Sequence, residues 1–154
     1  MILFTKSNDF TKLNLIKFKG KTQMIDFKNA TFFKLKKIPN KNAESLVGPL
    51  LVSDETIIST YKALRDQVVF TNKRIIAVNV QGLTGTKQDY TSMPYSKIQV
   101  YSVETAGMFE MMDKLTADCE LELYFSGVGM VKFEFKGDSD IKEICKMISE
   151  YVLG

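Results

Sequence analysis

The sequence predicts a mainly β (α+β) domain: a strongly bent antiparallel barrel of seven strands, capped by a C-terminal amphipathic helix and preceded by N-terminal helical segments. Three observations carry this expectation. Short β-rich segments recur at regular spacing between turn residues from position 56 to 136. The last two of them alternate apolar and polar residues without a break, and the final segment changes to the helical period. At 154 residues the chain has the length of one domain, enough to fold around a single core.

Residues 1–23 follow neither period and are expected to form a basic N-terminal extension; Met24 offers an alternative start, in which case the extension is a gene-start artefact. The domain is expected to occupy residues 24–154. From Met24 to Val52 the spacing of Phe27, Thr31, Leu35 and Ile38 predicts helical pieces, with Pro39 suited to a helix start and Gly48-Pro49 ending the next turn. Strands are predicted near Thr56–Leu64, Gln67–Thr71, Arg74–Val80, Lys87–Met93, Lys97–Glu104, Asp118–Phe125 and Met130–Lys136. Cys119, Leu121, Leu123 and Phe125 then face inward, as do Val131, Phe133 and Phe135 on the next strand. Glu120, Glu122, Tyr124, Lys132, Glu134 and Lys136 face outward, where opposed Glu and Lys suit cross-strand pairing. Thr71-Asn72-Lys73, Gln81-Gly82 through Gly85, and Ser126-Gly127-Val128-Gly129 supply the turns. Asp140 and Glu143 predict a capping box, after which Ile141, Ile144, Cys145, Ile148, Tyr151 and Val152 form one apolar stripe. Laid over the open end of a bent sheet, that stripe would close the core.

The composition removes many chemistries. The chain has no histidine, which excludes Ser/His/Asp and Cys/His catalysis, His-containing zinc sites and an imidazole pH switch. Cys119 and Cys145 lie far apart without a Cys-x-x-Cys spacing, so each is expected to fill a core position. No catalytic residue, cofactor or metal is expected, and the protein is read as non-enzymatic. Gly82-Leu83-Thr84-Gly85 has the spacing of a nucleic-acid clamp but lies between strands, and Gly127-Val128-Gly129 opens no helix. No nucleic acid or nucleotide is expected to bind. The longest apolar run, Leu46–Val52, is too short to span a membrane and is interrupted by Gly48-Pro49, so the expected address is the cytoplasm. Residues 1–41 carry ten Lys against Asp9 and Asp26, a balance of +8, whereas residues 42–154 carry eleven bases against sixteen acids, a balance of −5. The basic end provides a route to anionic membrane.

The run Arg65-Asp66-Gln67-Val68-Val69-Phe70-Thr71-Asn72-Lys73-Arg74-Ile75-Ile76, followed by Gln81 to Lys87, Met93-Pro94-Tyr95 through Ile98, and Ser102-Val103-Glu104-Thr105-Ala106-Gly107, resembles the bacterial pleckstrin-homology (PH-like) domain family. The resemblance spans roughly Asp26 to Gly154. It implies a seven-stranded bent barrel with a C-terminal helix and assembly into ring-shaped homo-oligomers. Residues 1–23 lie outside the family pattern, and Met108–Ala117 suggest a local insertion. Two readings follow. In the first, the chain is a scaffold or adaptor that self-assembles and meets an unknown protein partner through a polar surface, with Arg65, Asn72, Lys73, Arg74, Glu104 and Thr105 as candidate interaction residues. In the alternative, it is a peripheral module that binds anionic membrane through the basic N-terminus.

Overall fold

The computed structural model describes residues 30–64, 66–81, 85–105, 118–137 and 139–154. The expectations placed on residues 1–29, among them the helical reading at Phe27, on Arg65, on residues 82–84, on Ala106-Gly107 and on the Met-bearing segment 108–117 lie outside the described residues. Among the described residues, eight strands form one sheet: β1 (Ala30–Ile38), β2 (Ile57–Ala63), β3 (Asp66–Thr71), β4 (Arg74–Gln81), β5 (Lys87–Pro94), β6 (Ile98–Thr105), β7 (Cys119–Phe125) and β8 (Gly129–Phe135). Helix α1 (Lys41–Val47) follows β1, and helix α2 (Ile141–Leu153) ends the chain. Strands β2 to β8 are the seven segments anticipated from turn spacing.

The strand order is β5-β4-β3-β2-β1-β8-β7-β6, so the bent sheet remains open between β5 and β6 and does not close as a barrel. Strand β1 joins its two halves: its first part runs parallel to β8 and its last part antiparallel to β2. The helical reading of residues 30–38 is therefore corrected to a strand. The cause is a bulge. Lys34 has a φ of 55°, and the register with β8 shifts between Phe32 and Leu35, so two residues three apart both enter the core. That spacing imitates one face of a helix. The helix expected after Pro39 is present as α1, and Gly48–Leu50 tighten into a 3-10 turn beyond it.

The inner face of the sheet holds the main core. The rings of Phe32 and Phe133 stack at 5.2 Å, while Tyr61 meets Phe135 edge-on at 4.7 Å. Helix α2 buries Ile141, Ile144 and Ile148 against this cluster, with Cys145 and Val152 at its margin, as the apolar stripe predicts. A second, smaller cluster covers the opposite face of the first half: Ala43 and Val47 of α1 pack on Val69, Ile76 and Val78. Strands β3 and β4 are thus covered on both sides, which explains their unbroken apolar runs. The cleaner alternation of β7 and β8 reflects an outer face left to solvent.

The predicted capping box at α2 does not form. Asp140 makes no side-chain cap; its carboxylate accepts a hydrogen bond from Lys37 Nζ at 2.7 Å, and its backbone N–H donates to the Tyr61 hydroxyl at 3.0 Å. A cation and a core tyrosine thus compete successfully for the groups a cap would use. Burial pushes the Tyr61 phenol up to about 12, so it stays protonated as it receives this bond.

Candidate interaction surfaces

The β3–β4 turn places Asn72, Lys73 and Arg74 together, and each is engaged within the chain. Asn72 Oδ1 accepts the Thr56 N–H at 2.9 Å, and its Nδ2 donates to the Asp54 carbonyl at 2.8 Å. Lys73 Nζ donates to the Ser53 carbonyl at 2.9 Å. Arg74 holds both oxygens of Glu55, through Nε at 2.9 Å and Nη2 at 3.1 Å, and also reaches the Leu50 carbonyl and the Ser92 hydroxyl. The turn therefore clamps residues 50–56 onto the sheet, using most of the polar groups it could otherwise offer a partner.

Glu55 is the centre of this clamp. Its side chain is fully buried, whereas that of Arg74 is one-fifth exposed. Burial alone would raise the carboxyl, but Arg74, the Val52 N–H and the Thr71 hydroxyl outweigh it and hold the group below its ordinary range. The Thr71 hydroxyl donates to Glu55 Oε1 at 2.8 Å and accepts the Lys73 and Arg74 N–H groups. The buried Tyr95 hydroxyl donates to the Thr71 carbonyl at 2.8 Å, and Tyr151 of α2 donates to the Asn72 carbonyl. The same turn thus anchors the C-terminal helix.

Glu104 and Thr105 lie at the far end of β6, remote in sequence and strand order from the clamp. Across the outer face, Glu104, Glu120 and Glu134 occupy one register row, with Glu120 paired to Lys132 at 2.5 Å. Two rows away lies an apolar one: Val100, Tyr124 and Met130 are register partners on three adjacent strands and are 62%, 46% and 46% exposed. Val128 adds a further exposed apolar side chain on the β7–β8 turn. The outward position of Tyr124 is legible from alternation. Its alignment with Val100 and Met130 requires the pairing register.

A cleft of about 700 Å³ occupies the gap where the sheet fails to close. Residues 89–94 of β5 form one wall; the start of β6 and the β7–β8 turn form the other. Among its lining residues, one oxygen of Asp89 is buried without a hydrogen-bond partner among the described residues. No sequence signal singled out this cleft, since it depends on which two strands become sheet edges.

The two thiols occupy structural positions: Cys119 is buried and Cys145 half-buried. Desolvation raises both thiols, Cys145 to about 11, which disfavours the nucleophilic thiolate. Among the described residues, no group of three or more His, Cys, Asp or Glu is placed to hold a metal ion, and no helix is long and apolar enough to cross a membrane.

The bacterial PH domain family profile matches residues 26–152. The chain is 39% identical over 102 residues to the uncharacterized protein YjqA of Bacillus subtilis (strain 168), covering 65% of this chain and 77% of the relative. It is 31% identical over 103 residues to the uncharacterized protein YozO of the same organism, covering 67% and 83%. Among solved structures, it is similar to a duf1696 family protein with a pleckstrin-homology domain from Shewanella loihica PV-4, with a TM-score of 0.62, 35% identity, and coverage of 77% of this chain and 97% of the other. A pleckstrin homology domain from Shewanella amazonensis SB2B gives a TM-score of 0.52 at 38% identity, with coverage of 76% and 90%.

Proposed function

The chain belongs to the bacterial PH domain family, and on that premise we propose that it is a non-enzymatic scaffold that self-assembles through the outer face of β6, β7 and β8. The exposed Val100-Tyr124-Met130 row carries this reading. It is contiguous across three strands and adjoins a sheet edge at β6, a combination suited to association. The acidic row at Glu104 supplies a polar margin that would set the orientation of the contact. A ring requires this face to meet a different surface of the next copy, with a rotation that closes. The polar surface left free would meet a protein partner. Size-exclusion chromatography with light scattering tests self-assembly: the wild-type chain is expected to run as an oligomer at micromolar concentration, and Tyr124→Asp to weaken association about thirtyfold. A strictly monomeric wild-type chain removes the proposal.

A second reading rests on β1 and β2. Lys36 and Lys62 are direct register partners, both exposed, with Lys34 exposed nearby. Like charges placed opposite one another repel, and an anionic surface would relieve that cost. Vesicles rich in anionic lipid are expected to co-sediment the protein at low salt and lose it at high salt, with Lys36→Glu and Lys62→Glu together abolishing retention. Equal retention of wild type and variant removes this reading.

A further inference from the structure

We propose that the cleft between β5 and β6 receives an extended segment of a protein partner, which adds as a strand to the free edge of β5 with an apolar side chain beside Met93 and a lysine or arginine beside Asp89. Such a segment gives the partner of the scaffold reading its chemistry, and only the existence of that partner is taken from that reading. Strand β5 is paired with β4 along Lys87–Pro94 and has no strand on its other side among the described residues. The hydrogen-bonding groups of that side are open to another extended backbone. The cleft runs along it, lined by the unbroken run Asp89–Pro94. Successive side chains of a strand point to opposite faces, so a hollow touched by every residue of the run lies against the strand's edge and not over one face. A compact ligand would leave this length of backbone unused.

Asp89, Thr91 and Met93 share the face of β5 that turns toward the main core, with Met93 buried and the other two half-buried. At one end of this row Asp89 has a buried oxygen without a hydrogen-bond partner among the described residues, a group that a cation would satisfy. Lys87, the next residue of β5 on the same face, is exposed and leaves that oxygen unpartnered. At the other end, Met93 joins Ile98 and Phe125 in an apolar floor. Lys97 also lines the cleft, but it follows the Met93 end of β5, so an incoming cation is drawn to the Asp89 end. Antiparallel pairing is the more stable of the two directions. In that direction the partner places its apolar residue first and its base four positions later, with one residue facing Thr91 between them. Changing the spacing by one would carry the base to the opposite face. The cleft therefore specifies both the sign of the charge and its distance from the apolar residue.

Titration calorimetry of the full chain with blocked peptides tests the proposal. Each peptide is rich in Ser and Thr, has about ten residues, the length of a long strand, and bears one leucine with one charged residue four positions after it. The lysine peptide is expected to bind the wild-type chain about tenfold tighter than the glutamate peptide, the scale of one charge-assisted contact. Moving the lysine one position nearer the leucine should cost the same factor. Bound lysine peptide should slow amide hydrogen exchange along Gln88–Met93. Asp89→Asn should abolish the preference for lysine, and Asp89→Lys should invert it, in chains that keep the wild-type melting temperature. Equal affinity of the wild-type chain for the two peptides, or binding of neither, would overturn the proposal. Slowed exchange confined to other strands would overturn it as well, as would an unchanged preference in folded Asp89→Asn. The peptide exchanges use the wild-type chain, so they remain decisive if a variant fails to fold. Light scattering on the same samples separates the two readings: a monomer that prefers the lysine peptide removes self-assembly alone, and an oligomer indifferent to it removes strand addition alone.

Discussion

Arg74→Ala is expected to destabilise the fold by about 3–5 kcal/mol, the cost of leaving a buried charge without its partner. Its guanidinium provides two bonds to Glu55, whose side chain is fully buried, and also holds the Leu50 carbonyl. Urea unfolding followed by circular dichroism reads the loss as a lower midpoint. Glu55→Gln in the Arg74→Ala background should recover part of it, because the orphaned charge is then gone. The same pair predicts a pH dependence. Glu55 titrates below its ordinary value of 4.5, so its contribution is fully present above that pH and disappears as pH falls through the lower folded value. Glu55→Gln should flatten this acid limb. An acid limb unchanged by the substitution would show that the clamp does not set it.

The second large effect is expected at Phe133. Its ring stacks on Phe32 at 5.2 Å, meets Phe70 at 5.9 Å and lies 6.5 Å from Phe135. It therefore packs β8 against its ladder partner β1 and, across the bend of the open sheet, against β3. Phe133→Ala should cost about 3–5 kcal/mol through lost burial and the cavity left behind, or about 10 °C in melting temperature for a chain of this size. Phe133→Leu retains much of the volume and should cost about 1.5 kcal/mol or less. A calorimetric melt distinguishes the two. Equal losses would show that β1 and β8 do not depend on ring packing at this position.

These effects reveal different degrees of legibility in the sequence. Strands β7 and β8 were readable because each has one buried and one exposed face: Leu121 and Phe133 point inward while Glu122 and Lys132 point outward. Helix α2 was readable for the same reason at the other period. Asn72-Lys73-Arg74 was recognisable as a polar turn, but its role was not, because its acceptors come from residues 50–56 and the decisive one, Glu55, has no local pattern. The exposed apolar row was similarly hidden. Val100, Tyr124 and Met130 are unremarkable separately and become a surface only in register.

By itself, the sequence determined the number of strands from β2 to β8 and their bounds to within one residue, the inward faces of β7 and β8, the apolar stripe of α2 and the absence of histidine chemistry. These properties reside in neighbouring residues, where alternation, turn chemistry and side-chain type act over a few positions. Tertiary structure decided that residues 30–38 form a strand, that Asp140 pairs with Lys37 instead of capping α2, and that the sheet stays open beside Asp89. Each depends on partners distant along the chain, such as Phe32 against Phe133 and Lys37 against Asp140. The bulge at Lys34 gave a strand the spacing of a helix, and only pairing with β8 and β2 resolved the ambiguity.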